Sequence, residues 1–476
     1  MSTESLRTTS QKLDDSATRF AASRSMQRRV HEIIPGGAHT YAKGDDQFPV
    51  LAPGFITRGK GCHVWDVDGN RYVEYGMGCR AVTLGHAFKP VNLAVARSLA
   101  RGTNFTRPCE LELECAEELL SMIPAGEMCK FSKDGSTVTT AAFKLARAAT
   151  GRDMIALCGD HPFFSIHDWF IGTTDIHGGI PDSIRELSTT FRYNDPESLR
   201  RCFAEHPGRI AAVILEPAKY SDPEDHFLHR VQEICRENEA VFILDEMITG
   251  FRWHNGGAQA YYDIEPDLST FGKGFANGFS LSALVGRADL MQACGLYHDR
   301  ERVFALSTTH GAESTGLAAA IATMKFYQEN PVIEKLRFIG QQLIDRLPPV
   351  IDRHGLTGVV KIIGKPCNLV FAANDPDGKP SQAYRSLLMQ ELIRHGVLGP
   401  SLVVSYSHDE SDVEQTVAAF DAACEVYVKA MSDGPEPYLV GPPTQVVYRS
   451  HNDNAFRGPR MAFDHQDDAD SWAAAD

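Results

Sequence analysis

The chain has 476 residues, more than a single hydrophobic core usually organises, so two packed units are expected. Apolar residues make up 43% and charged residues 23%, and 47 Lys and Arg against 62 Asp and Glu leave a formal charge of -15, which argues against nucleic acid or anionic lipid as a partner. The opening "MSTESLRTTSQKLDDSATRF" lacks the apolar segment of a signal peptide, and no apolar run approaches the ~20 residues of a membrane span, so a cytoplasmic location away from membranes is expected.

In chain order, residues 1–25 read as a polar lead-in and 26–85 as an N-terminal segment contributing to a small domain. Within the latter, "FITRGKGCHVWDVDGNRYVEY" holds two alternating runs joined by Asp68-Gly69-Asn70, which predicts an antiparallel hairpin. Residues 86–325 read as a large domain in which helices alternate with short apolar strands. "VTTAAFKLARAAT" places Val138, Ala141, Ala142, Leu145 and Ala149 on one helical face. "RIAAVILEP" and "AVFILDE" are apolar enough for strands covered on both sides, and the stripe Leu228, Val231, Cys235 between them predicts a helix that crosses over between parallel strands.

"GLAAAIATMKFYQEN" and "VIEKLRFIGQQLIDRLPPVIDRHG" are predicted helices leading into a smaller C-terminal α/β domain over 326–430. An extension over 431–476 ends in the acidic tail "HQDDADSWAAAD". The fold class expected is α/β, a large domain with a mostly parallel central sheet plus a smaller α/β domain. Eleven cysteines show no C-x-x-C and no histidine spacing typical of zinc, so reduced and mainly buried thiols are expected, with no metal.

Three features carry chemistry. Asp245 closes a buried strand, where open α/β sheets present ligand-binding residues, and a buried carboxylate needs a cationic or hydrogen-bonding partner. Lys273 lies between glycines in "STFGKGFANG"; alone it reads most simply as a solvated turn residue, but a buried lysine is also a carbonyl nucleophile. Gly135-Ser136-Thr137 opens the Ala-rich helix, either as a plain Ser/Thr N-cap or as a phosphate cup of free N–H groups. Taken together, a strand-end carboxylate, a loop lysine and a phosphate cup suggest pyridoxal 5'-phosphate.

The segments "LDEMITGFR", "STFGKGFANGFSLSALVGR", "LARAATGRD" and "AVILEPA" resemble the class III, fold type I pyridoxal-phosphate aminotransferases, in the glutamate-1-semialdehyde 2,1-aminomutase-like branch, with motifs in family order from about Ile34 to Tyr427. The resemblance implies that Lys273 forms the Schiff base and Asp245 keeps the ring nitrogen protonated. It also implies that Met247 lies against one ring face and that Gly135, Ser136 and Thr137 serve the phosphate. Thr309, in "STTHGAESTG", would reach the phosphate of the other subunit, which implies a homodimer with shared active sites.

Two departures stand out. Where many relatives read Asn-Ser-Gly-Thr-Glu, this chain reads Lys133 to Thr137, so Asp134 is expected either to turn away from the phosphate or to pair with Lys133. The usual Tyr-His-Gly is missing from "CGDHPFFSIHDWF", leaving His161, Phe163 and Phe164 as candidates to cover the second ring face. Glu216, before a proline, is open between site and structure. The segments "IPGGAHTYAKGDDQFP", "NFTRP", "HPFFSIHDWFIGTT" and "VGPPTQVVYRSHN" are similar to proteins of sugar and aminoglycoside gene clusters, which implies an oxidised sugar or aminocyclitol acceptor with Glu or Gln as donor. Tyr41, Arg80, Arg107, His161 and Glu216 are the polar residues expected near it, each equally readable as a structural or surface residue. The alternatives are an aminomutase that moves an amino group within one molecule and a cofactor-binding scaffold without turnover.

Overall fold

The computed structural model describes residues 19–452, which fold into two compact units. The start of the lead-in, residues 1–18, and the acidic tail lie outside the described residues. One unit takes Met77–Phe338 with Val404–Tyr406; the other takes the described residues up to Gly76, Ile339–Val403 and those from Ser407 onward. No helix among the described residues is long and apolar enough to cross a membrane.

The larger unit is built on seven strands, β1 (Met128–Ser132), β2 (Met154–Cys158), β3 (Ser188–Phe191), β4 (Ile210–Leu215), β5 (Val241–Asp245), β6 (Leu268–Phe271) and β7 (Ser282–Gly286). They lie in the order β1-β7-β6-β5-β4-β2-β3, and only β7 runs antiparallel to its neighbours. Every residue of β4 and β5 is buried, as their unbroken apolar runs predict for strands covered on both faces. The helix Phe227–Glu237 between them buries Leu228, Val231, Ile234 and Cys235 against Val213, Leu215 and Phe242. The Ala-rich segment forms the helix Gly135–Thr150, ended by Gly151 in the left-handed region at φ 66°.

In the smaller unit the sequence "FITRGKGCHVWDVDGNRYVEY" makes three strands rather than two. Ile56–Lys60 folds back on His63–Asp66 over Gly61, whose φ of 61° a side chain would strain, and His63–Asp66 pairs antiparallel with Arg71–Glu74 across the expected turn. A lone glycine inside an alternating run does not reveal that the chain reverses there. Asp66 Oδ1 accepts the N–H groups of Asp68 (3.1 Å) and Asn70 (2.7 Å), locking the second turn. Arg71–Glu74 also pairs in parallel with Val397–Leu398.

The helix Ala21–Ile33 begins inside the segment read as a lead-in. Its first N–H groups, from Ala22 and Ser23, donate to the Asp68 carboxylate at 2.6 and 3.0 Å, so the cap comes from 46 residues away and leaves no local sequence signature. Phe20 anchors it among Leu51, Val64, Tyr72 and Leu398.

Candidate active site

All strands of the large sheet except β7 point their C-terminal ends the same way, and the loops leaving β1, β2, β4, β5 and β6 meet around a pocket of ≈ 350 Å³. Lys133 to Ser136 follow β1, Phe163 and Phe164 follow β2, and Glu216 follows β4. Asp245 closes β5 with Met247 just after it, and Gly272 and Lys273 follow β6. A parallel sheet thus brings residues from 133 to 281 onto one edge.

Asp245 is 2% exposed; its Oδ1 accepts from Met247 N at 2.9 Å and from Thr270 Oγ1 at 3.4 Å. Burial, and then the negative charge of Glu216, push its carboxyl up to about 7, with Lys273 opposing the shift. The adjacent Glu246 is also buried but is absorbed elsewhere, accepting the N–H groups of Ala258 and Gln259, both at 2.8 Å, and the Thr249 hydroxyl. Of the two neighbouring carboxylates, only Asp245 lines the pocket.

Lys273 opens a single 3₁₀ turn, Lys273–Ala276, with φ 46°. A lysine in the left-handed region carries roughly 1–2 kcal/mol of backbone strain, the kind of local cost concentrated at functional sites. Desolvation pulls its ammonium below the usual lysine range; Asp245 and Glu216 oppose that shift, and Lys219 and Arg80 add to it.

Asp134 does not pair with Lys133. It is the N-cap of the helix, and its carboxylate accepts from Thr137 N at 2.8 Å and from the Thr137 hydroxyl. Lys133 instead donates to Glu313 at 2.7 Å and to the Ser280 carbonyl at 3.1 Å. A Cβ at Gly135 would lie 2.9 Å from Met247 Sδ and one at Gly272 2.7 Å, so the two glycines make the slot that holds Met247. Ser136 Oγ accepts from Ile166 N at 3.0 Å.

The remaining expected residues are spread more widely. His161 is 5% exposed, and its Nδ1 accepts from Glu216 N at 3.1 Å; burial pulls its imidazole down to about 4, so it is neutral at pH 7. Phe163 and Phe164 both line the pocket, the first 44% exposed and the second buried, each packed edge-on to Phe170. Arg80 sits close enough to Glu216 and Lys273 to act on both electrostatically, whereas Arg107 is exposed. Thr309 is exposed in a turn held by Asn104 Nδ2 donating to its carbonyl at 3.1 Å. Tyr41 belongs to the smaller unit and is 77% exposed.

Lys219 escaped the sequence reading. Its ammonium lies 3.1 Å from Glu216 Oε1, both side chains are under 10% exposed, and the i,i+3 spacing in "EPAKY" is the signal that was available. Glu216 Oε2 is buried with no hydrogen-bond donor. Burial alone would raise the Glu216 carboxyl, but Lys219, His161 and Lys273 together hold it below the usual range.

The pocket suits pyridoxal phosphate on its own terms: a buried carboxylate in want of a cation, a desolvated lysine one strand away, and the N-terminus of a helix four turns long. The fold and this site define a pyridoxal-phosphate-dependent enzyme of fold type I. Residues 40–400 match the class-III aminotransferase family, and the chain belongs to that family.

Among relatives, it is 32% identical over 420 residues to a glutamate-1-semialdehyde 2,1-aminomutase of Archaeoglobus fulgidus, covering 83% of this chain and 98% of that one. It is 30% identical over 411 residues to a 3-aminobutyryl-CoA aminotransferase of Cloacimonas acidaminovorans, covering 84% and 96%. Its structure is similar to that of the Sphingopyxis FumI protein in its PLP internal aldimine form, with a TM-score of 0.79, 28% identity and coverage of 87% and 98%.

Proposed function

We propose that the enzyme transfers an amino group from an amino acid, Glu or Gln, to the carbonyl of an oxidised sugar or aminocyclitol. The observation that carries this reading is that Lys273 and Asp245 line one pocket, with the amine pulled down and the carboxyl pushed up. Bound there, pyridoxal phosphate supplies an electron sink for the charge left when the α-proton of an amino donor departs. Asp245 would hold the proton at the ring nitrogen, Gly135 and Ser136 would offer the phosphate their helix N-terminus, and Met247 and Phe163 would bound the ring. Lys273 Nζ would hold the cofactor through its aldehyde and would be the base that takes and returns the α-proton.

The acceptor class is supported by Glu216 Oε2, a buried acceptor with no donor, which suits a substrate hydroxyl; Arg80 adds a cation nearby. A homodimer with Thr309 serving the partner's phosphate is supported by large apolar residues exposed in the segment that leads to it, Tyr297 at 92%, Phe304 at 75% and Leu296 at 70%. A cytoplasmic location is supported by eleven free cysteines.

The test is a half-reaction screen: load the enzyme with each candidate donor, then ask which carbonyl compounds restore the aldehyde form. Restoration by oxidised sugars is expected, and restoration by simple 2-oxo acids alone refutes the acceptor class. The aminomutase relatives favour a second reading, retention of the intermediate and return of the amino group to the same molecule. Conversion of glutamate-1-semialdehyde to 5-aminolevulinate without added donor would establish it.

A further inference from the structure

In the smaller unit, three side chains of metal-ligand type converge. Cys62 and His63 stand at the start of the strand His63–Asp66, and Asp412 lies in the first turn of the helix Glu410–Asp433. Cys62 is 1% and Asp412 3% exposed, and the His63 side chain is 22% exposed. Cys62 Sγ lies 3.0 Å from Asp412 Oδ2 and 3.6 Å from His63 Nδ1, and His63 Nε2 lies 3.0 Å from Asp412 Oδ1.

A plain hydrogen-bonded trio does not account for the last of these contacts. His63 Nε2 is buried and makes no hydrogen bond, although a carboxylate oxygen stands within reach, so the pair is close but wrongly aimed for N–H donation. Nor is the group a nucleophile with its base, because the shorter contact of Cys62 is its donation to the aspartate and the thiol is almost wholly enclosed.

The spacing does suit a small divalent cation. Metal bonds of about 2.0 Å to nitrogen and oxygen and about 2.3 Å to sulfur put tetrahedral ligands about 3.3–3.5 Å apart. The two contacts of Cys62 Sγ, 3.0 Å to Asp412 Oδ2 and 3.6 Å to His63 Nδ1, lie within about half an ångström of that. One ligand atom from each of the three side chains falls within 4.8 Å of the others; the contact of His63 Nε2 with Asp412 uses the second ring nitrogen, which cannot serve the same metal. Asp412 is also pre-oriented, since its Oδ2 accepts from Asp409 N at 3.0 Å in a capping box, the outer contact expected of a carboxylate ligand.

We propose that Cys62, His63 and Asp412 bind a zinc-class cation through sulfur, nitrogen and oxygen, with a fourth position open to water, tying the N-terminal strands of this unit to its last long helix. Binding forms three metal–ligand bonds, releases the Cys62 thiol proton to solvent and leaves the metal divalent. The search for C-x-x-C missed the site because its third ligand lies 350 residues from the first.

The test uses full-length holoenzyme, stripped of metal by a chelator and titrated with Co²⁺, whose visible d–d bands report a tetrahedral thiolate site. One equivalent per chain, displaced by Zn²⁺, is expected. Cys62→Ser and His63→Ala should each weaken binding at least about 100-fold. A stoichiometry well below one, or binding unchanged in the variants, overturns the proposal. Should Cys62→Ser fail to fold, His63→Ala decides the matter, because that side chain is the most exposed of the three.

Discussion

Lys219 Nζ sits 3.1 Å from Glu216 Oε1 in an ion pair that water scarcely reaches. Removing one partner from such a pair strands the other, at a cost of about 3–5 kcal/mol. Lys219→Met should therefore lower the unfolding free energy by an amount in that range, and Lys219→Met with Glu216→Gln should recover most of it. Denaturant unfolding of the two variants checks this; equal losses would mean that the pair is not coupled.

The Asp134 carboxylate contributes both a helix cap and a negative charge beside the proposed phosphate cup. Asp134→Asn keeps the acceptor and removes the charge. Stability should change by only a few tenths of a kcal/mol, while cofactor affinity rises roughly two- to five-fold, the size of a helix-end charge effect of about 0.3–1 kcal/mol. Fluorescence titration of cofactor-free protein with pyridoxal phosphate measures it.

His161 has a folded pKa, about 4, below its ordinary 6.5, so its contribution to stability is present above 6.5 and is lost as pH falls through about 4. The loss amounts to about 3 kcal/mol. His161→Asn, which keeps an acceptor for Glu216 N, should flatten the acid limb of the stability curve between those values. An unchanged limb would show that the imidazole is already charged in the folded protein.

Asp245 runs the other way in cofactor-free protein. Its folded pKa of about 7 exceeds the ordinary 3.8, so its contribution is full below 3.8 and disappears as pH rises through about 7. Chemical unfolding of the cofactor-free chain should show stability falling with pH across that window, and Asp245→Asn should remove the slope. The same variant should lose most turnover when loaded, because a neutral amide does not hold the ring proton.

The chain reveals the residues at strand ends far better than those that depend on folding at a distance. Asp245 was legible because an apolar run that stops on a carboxylate marks the rim of a parallel sheet, and Lys273 because the glycines around it mark a tight turn, whereas Glu216 ends its strand the same way without disclosing its role. The cap on Ala21–Ile33 comes from Asp68, the reversal at Gly61 hides inside an alternating run, and Lys133 finds Glu313 across 180 residues. Thr137 illustrates the same limit within one turn: a hydroxyl expected to serve the phosphate is held by Asp134 three residues earlier, a choice that composition does not disclose.

The parallel pairing of Arg71–Glu74 with Val397–Leu398 bears on how the protein is made. Translation delivers the first strand long before its neighbour, a delay of tens of seconds at about 5–20 residues per second. Throughout that interval the nascent chain carries a bare β edge, open to other nascent chains on the same message. A product truncated before Val397 would never cover it, which makes premature termination anywhere upstream of that strand a route to aggregation rather than to a smaller working enzyme.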